Sequence, residues 1–364
     1  MMMKMNRRSF LGSAVAAGVG SMLGRAGSAR AAEGSRPLAL GFDNFSLRAL
    51  GWKADRLLDY AAEQQCDCIL FSDLDVYESH EDAYLQELRA KADGLGVMIY
   101  AGTGGISPHA HRFNDKWGGA QEHLRLAIRV AHALGSPALR CYQGFAQDRS
   151  SEGGIRARIA ETVEILQSVK GEAVDAGVKI AVENHAGDMQ AHELRDLIEA
   201  AGPEFVGATI DSGNATWTLE DPVTNLQILA PYAACTGIRD SMIWEDDEGA
   251  VVQWTAVGDG CVDMKKYFEE FAKLCPETPV IMEIISGFAR PFPYFQHEFW
   301  DTYQEVKAWE FARFVELAKA GNPIEPFQPA EGEDNDEAQR RYQQAELERS
   351  LAACREKFGL GRRG

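Results

Sequence analysis

The sequence predicts an α/β fold, a (β/α)8 TIM barrel of eight parallel strands each followed by a helix. Three observations carry this. Short runs of β-branched and apolar residues recur eight times from residue 37 onward, stretches of helical periodicity lie between them, and the runs end in glycine or polar residues. At 364 residues, 45% hydrophobic and 25% charged, the chain is long enough to bury such a core as one large domain.

The runs cover residues 38–47, 66–73, 97–102, 138–144, 178–185, 206–214, 233–241 and 279–287. After the first, Leu57, Leu58, Ala61 and Ala62 repeat at helical spacing. The second holds Cys66 and Cys68 two apart in an apolar stretch, which favours strand packing over a metal knuckle. Leu124, Ala127, Ile128 and Ala131 form a helical stripe between the third and fourth runs, and Ile159, Val163, Ile165, Leu166 and Val169 form one before the fifth. Leu194, Leu197, Ile198 and Ala201 lead to the sixth. Gly94, Gly135, Gly177 and Gly202 sit just past helical stretches, where a left-handed C-terminal residue suits glycine.

The barrel is expected to span residues 37–320. It should end with an apolar helix over about 300–320, stopped by Gly321-Asn322-Pro323. Residues 325–364 read as an acidic linker, densest at 331–336, and a last helix carrying Tyr342, Leu347, Leu351 and Phe358. That helix could pack on the barrel, pack on a second copy in a homo-oligomer, or fray.

Fifty-five Asp and Glu against 37 Lys and Arg give a formal charge of −18, which repels phosphate backbones and anionic lipid. Nucleic acid and stable membrane association are therefore excluded as expectations, and a small neutral or metal-chelated substrate is favoured. No segment reaches the apolar length of a membrane span. Residues 1–31 hold Asn6-Arg7-Arg8-Ser9-Phe10-Leu11, a weakly apolar run and the small-residue exit Ala29-Arg30-Ala31, and so resemble a twin-arginine export signal. Its removal would take away five basic residues and leave a periplasmic or otherwise exported protein of charge −23. The seven cysteines, odd in number and widely scattered, read as buried free thiols.

Catalytic groups of such a barrel come from the C-terminal ends of its strands. Four runs end in acids after several apolar residues: Glu183-Asn184-His185, Asp211-Ser212-Gly213-Asn214, Arg239-Asp240 and Glu283. Acids that start buried need a partner or a cation to stay ionised, and three on neighbouring strands can converge on one divalent ion. Arg140, Asp73 and Trp217 are further candidates for substrate contact, each equally explained by packing or an ion pair. His109 and His111 have chelate spacing but no accompanying carboxylate motif. Aromatic residues over 288–300, with Arg290, suggest a lid over a sugar face or a subunit contact.

At these residues, together with Gly258-Asp259-Gly260-Cys261-Val262-Asp263, the sequence resembles the sugar phosphate isomerase/epimerase superfamily over roughly residues 37–320. These are the xylose-isomerase-like TIM barrels that also include endonuclease IV. The resemblance implies a divalent metal (Mn, Zn, Mg or Co) held by Glu183, Asp211 and Glu283; Glu183 and Glu283, on opposite sides of that ion, are expected to remove and return the proton. The family's strand 7 histidine is replaced by Gly237. His185, two residues beyond Glu183, could supply the missing nitrogen, or Arg239 could replace part of the metal's charge. His185, Asn214, Arg239 and Arg140 are the expected substrate contacts. The expected activity is isomerisation or epimerisation of a sugar or keto-sugar through an enediolate. The alternatives are a lyase or hydratase acting on 3-keto-glycosides and a metal-free sugar-binding accessory barrel; DNA repair is opposed by the charge.

Overall fold

The computed structural model describes residues 37–363; the expected signal segment, 1–31, lies outside them. Eight parallel strands form the barrel: β1 Leu40–Asp43, β2 Cys68–Phe71, β3 Met98–Gly105, β4 Ala138–Tyr142, β5 Lys179–Glu183, β6 Val206–Asp211, β7 Ala233–Gly237 and, after an insertion, β10 Val280–Met282. They are hydrogen-bonded in the order β10, then β1 through β7. Closure between β7 and β10 is short. Ile238 N donates to Ile281 O at 2.7 Å and Glu283 N to Ile238 O at 3.0 Å, while the Thr236 hydroxyl donates to Pro279 O and accepts from Ile281 N, each at 2.9 Å.

Side chains alternate between the two faces of a strand, and the inward set forms layers. Cys68, Tyr100, Ala138, Ala181, Cys235 and Ile281 plug the barrel in an apolar layer. Two residues further along β4, β5 and β10 come Arg140, Glu183 and Glu283, so the next layer is charged. Outward residues such as Phe42, Ile69, Ile180, Ile210 and Met282 pack under the helices in the main core.

Two features depart from the regular repeat. The run at 233–241 is not one strand: β7 stops at Gly237 and the chain turns into β8 Asp240–Glu245, which pairs with β9 Ala250–Thr255. After β10 the chain joins this hairpin as β11 Ala289–Phe292, completing a three-stranded antiparallel sheet. A second apolar cluster, including Ile243, Val252, Phe292, Tyr294 and Phe314, binds this sheet to the helix Ala308–Ala320. The aromatic segment at 288–300 therefore serves mainly as a core for the added sheet, with Phe288 half-exposed at the cavity.

The second departure concerns the end of the chain. The helix Asn335–Phe358 lies against β1 and β10, with Leu347, Leu351 and Cys354 in the main core. Gly361 N then donates to Leu38 O at 2.9 Å. This helix covers the seam between the last and first barrel strands, so the packed barrel continues beyond residue 320, and the acidic stretch at 331–336 is a crossing rather than a boundary. Residues from Pro37 onward form one compact unit. All seven cysteines are free, and six are buried.

Candidate active site

The strand ends place Asp43 (β1), Arg140 (β4), Glu183 (β5), Asp211 (β6) and Glu283 (after β10) around one point, together with Arg239 from the segment after β7. Asp211 caps the short helix Ser212–Thr216 by accepting from Asn214 N at 2.7 Å. Asn184 fixes the backbone of Asp211 in both directions, donating from Nδ2 to its carbonyl at 2.8 Å and accepting from its N–H at 2.9 Å.

Arg239 holds the centre. Its Nη2 donates to Asp211 Oδ2 and to Glu283 Oε2, and its Nε reaches Asp211 Oδ1 at 3.3 Å. The stem passes over Gly213, where a Cβ would lie 2.3 Å from Arg239 Cγ, so only glycine leaves room for it. The Trp254 ring covers the guanidinium, 4.3 Å from Cζ to the ring centroid, and is itself fixed by an Nε1 hydrogen bond to Gly213 O at 2.9 Å. Arg239 Nη1 is buried without a protein partner.

Arg140 makes the neighbouring pair. Its Nε donates to Glu183 Oε2, its Nη1 reaches Thr103 O at 3.3 Å, and Asn214 Nδ2 donates to Glu183 Oε1 at 2.9 Å. Four buried carboxylates thus meet two guanidiniums. Burial is the main cause pushing the carboxyls of Asp43 to about 8 and Glu183 to about 7, assisted in each by the negative charge of Glu283. Burial likewise raises Asp211. Glu283 goes the other way: burial would raise it, but Arg239, then Arg140, hold it below the ordinary carboxylate range.

Above this layer lies a cavity of about 480 Å³, lined by residues that follow the C-terminal ends of the strands. Glu283, Arg239, Asn214 and His185 form its polar floor and side; Trp254, Trp217, Phe145, Phe45 and Phe288 supply apolar walls. Trp217 stacks on Trp254 with centroids 3.8 Å apart. Asn214 Oδ1 is buried and has no protein donor.

The structure brings together the three acids expected at the metal. Glu183, Asp211 and Glu283 each offer an oxygen within 4.8 Å of the others, a donor set that could hold a divalent ion. His185 is not in that group; it lines the same cavity as Glu283. Strand β5 ends at Glu183, so the alternation that would align the two side chains stops there. The His185 ring instead stacks on Tyr142 with centroids 3.8 Å apart, and its Nδ1 lies 2.7 Å from Gly144 O. Burial, then Arg140, lowers its pKa to about 3, which leaves a neutral imidazole on the cavity wall.

A Cβ on Gly237 would lie 3.0 Å from Asp211 Oδ2 and 3.5 Å from Glu283 Oε2. A side chain there would project into the triad, but glycine offers no donor, and the same two oxygens are bonded to Arg239. The acids suit a divalent ion in number and charge, yet an ion and the guanidinium compete for two of the three.

Arg140 does not line the cavity; it is bonded to Glu183 and Thr103 beside it. Asp73 lies outside this cavity, 3.5 Å from Asn44 Nδ2. His109 pairs with Glu161 rather than with a metal partner. Sequence reasoning missed Asp43, Trp254 and Arg112. Asp43 ends its strand as the other acids do, but no neighbouring motif marked it. Trp254 belongs to the added sheet, outside the barrel repeat.

An eight-stranded parallel barrel with an acidic triad and a lined cavity at its C-terminal mouth defines the class. Residues 58–298 match the model of the xylose isomerase-like TIM barrel family, and the chain belongs to that family. A curated relative, 3-oxo-isoapionate decarboxylase of Pectobacterium atrosepticum, is 21% identical over 184 residues, 50% of this chain; the match spans only 59% of that relative's length. Among solved structures, D-psicose 3-epimerase crystallised with D-fructose superposes with a TM-score of 0.58 at 15% identity, covering 88% of this chain and 100% of that one. The IOLI protein with a bound zinc atom gives 0.51 at 14% identity, covering 77% and 96%. At these identities the structural likeness shows the fold.

Proposed function

We propose that the protein is an enzyme that moves a proton at a carbon beside the carbonyl of a small sugar or keto-sugar, as an epimerase or isomerase. One observation carries the reading: the cavity floor presents an ionised carboxylate, Glu283, beside a guanidinium, Arg239, that keeps one buried donor free. A carbon acid needs a base for the proton and a donor for the oxygen that gains charge. Glu283 is the base. Arg239, fixed by Asp211 and Trp254, lines the cavity as the cation for the developing enolate oxygen, and its unpartnered Nη1 is the donor that a small shift would free. Glu183, with a pKa of about 7, is the second carboxyl and can hold or return a proton near neutrality. Asn214, which lines the cavity, orients Glu183 through Nδ2.

Arg239 is the resident cation in this reading. A divalent ion bound by Glu183, Asp211 and Glu283 would supply Lewis-acid polarisation of the same carbonyl, as a competitor of the guanidinium. The second reading is a decarboxylase or other lyase. The curated relative favours it, and loss of carbon dioxide or a β-substituent passes through the same enolate.

Incubation with a panel of ketoses and keto acids in D2O, followed by NMR, tests the proposal. The expected result is deuterium at the carbon beside the carbonyl of at least one compound, slowed by about 10²–10⁴-fold in Glu283→Gln, the usual scale for a general base. Release of carbon dioxide or an aglycone would select the second reading. Turnover in Glu283→Gln equal to wild type would contradict both.

A further inference from the structure

The cavity that holds the proposed carbon-acid site has a charge opposite to that of the chain. Its charged lining side chains include Glu283, Arg239, Arg112 and Arg290. Glu283 is paired with Arg239, which leaves two guanidiniums without a compensating acid. In a chain with 55 acidic residues and 37 basic ones, surface arginines such as Arg56, Arg125, Arg129, Arg156 and Arg349 pair with acids, and of the arginines lining the cavity Arg239 does so. Arg112 and Arg290 pair with no carboxylate among the described residues.

Both are held instead by apolar or backbone surfaces. Arg112, in the loop after β3, lies with Cζ 5.1 Å from the centroid of Phe145. Arg290, on β11, lies 5.6 Å from the Trp217 ring and 5.1 Å from the Phe292 ring. Its Nη1 is 2.7 Å from where a Cβ on Gly187 would stand, so the guanidinium packs against the loop after β5 at a glycine with φ of +83°. Stacking leaves the edges of a guanidinium, where its N–H donors lie, available for a planar oxyanion.

We infer that the substrate carries an oxyanion, a sugar acid or sugar phosphate, bound by Arg112 and Arg290 while its carbonyl carbon meets Glu283 and Arg239. This rests on the reading of the cavity as a sugar site and replaces the neutral substrate that the overall charge suggested. The whole-chain charge misleads because long-range repulsion is screened over about 8 Å at physiological salt, whereas the two guanidiniums act at contact.

Calorimetric titration of the full-length protein tests the inference. The probes are D-fructose, D-fructose 6-phosphate, 5-keto-D-gluconate and, as a dicarboxylate without hydroxyls, glutarate. At low salt at least one sugar anion should bind roughly tenfold or more tightly than D-fructose, a difference of about 1.4 kcal/mol. Arg112→Gln and Arg290→Gln should each bring that affinity toward the neutral value at an unchanged melting temperature, and the stronger of the two anions identifies phosphate or carboxylate as the group read. Equal affinity for D-fructose and both anions, or a preference that survives in both variants, would overturn the inference and leave the sugar reading standing. Arginine-dependent binding of glutarate as tight as that of the keto acid would support the oxyanion site and overturn the sugar reading. No binding of any probe would overturn both.

Discussion

Arg140 and Arg239 are both buried, both bonded to carboxylates and both at the C-terminal end of the barrel, yet they stand in different surroundings. Arg140 belongs to β4, is enclosed by Glu183, Thr103 and Tyr142, and does not reach the cavity. Arg239 follows β7, bridges acids from two strands, lies under Trp254 and is among the residues that line the cavity, with a buried Nη1 that has no protein partner. The first pair has every incentive to stay closed. The second can exchange one of its partners for a substrate oxygen or a competing cation.

The largest expected effect comes from removing the enclosed guanidinium. Arg140→Ala leaves Glu183 buried without its cation, which should cost about 3–5 kcal/mol of stability. Arg239→Ala should cost less, because water or a metal ion can reach Asp211 and Glu283 from the cavity. Urea denaturation of both variants measures the difference, and equal losses would break the comparison.

A smaller effect sharpens it. Gly213→Ala places a methyl group 2.3 Å from Arg239 Cγ and must displace the stem. The expected cost is about 1–3 kcal/mol, typical of overpacking, together with loss of turnover. The enclosed pair should be untouched. A variant with wild-type turnover would show that the seating of Arg239 is not needed.

The barrel was legible because its strands are buried on both faces and its helices on one, which prints short apolar runs and helical stripes into the sequence. Glu183, Asp211 and Glu283 were legible for a related reason: an acid at the end of an apolar run stands where a barrel keeps its chemistry. The added antiparallel sheet was not foreseen. Its clearest signal is the turn at Asp246-Asp247-Glu248-Gly249 between two apolar runs, but β8 begins only three residues after β7 and merged with it. The position of His185 depended on a backbone that leaves strand geometry after Glu183, and periodicity carries no information there. The role of the last helix could not be read from its apolar residues, since the surface that receives them, β1 and β10, is formed by segments from opposite ends of the barrel. Arg112 gave no signal because its meaning lies in the absence of an acid nearby, which is a property of three dimensions.

The central claim is that Arg239 occupies, as a resident cation, the place where a divalent ion would share Asp211 and Glu283. Titrating Mn2+ into chelator-treated wild type and Arg239→Ala, with the melting temperature followed in parallel, tests it most directly. Removing a positive charge in direct contact with two ligands should strengthen Mn2+ binding by about tenfold or more, about 1.4 kcal/mol, and Mn2+ should raise the melting temperature of the variant more than that of wild type. Stoichiometric Mn2+ binding by wild type as tight as that of the variant, or weaker binding in the variant, would contradict the account and make Arg239 a neighbour of the metal rather than its replacement.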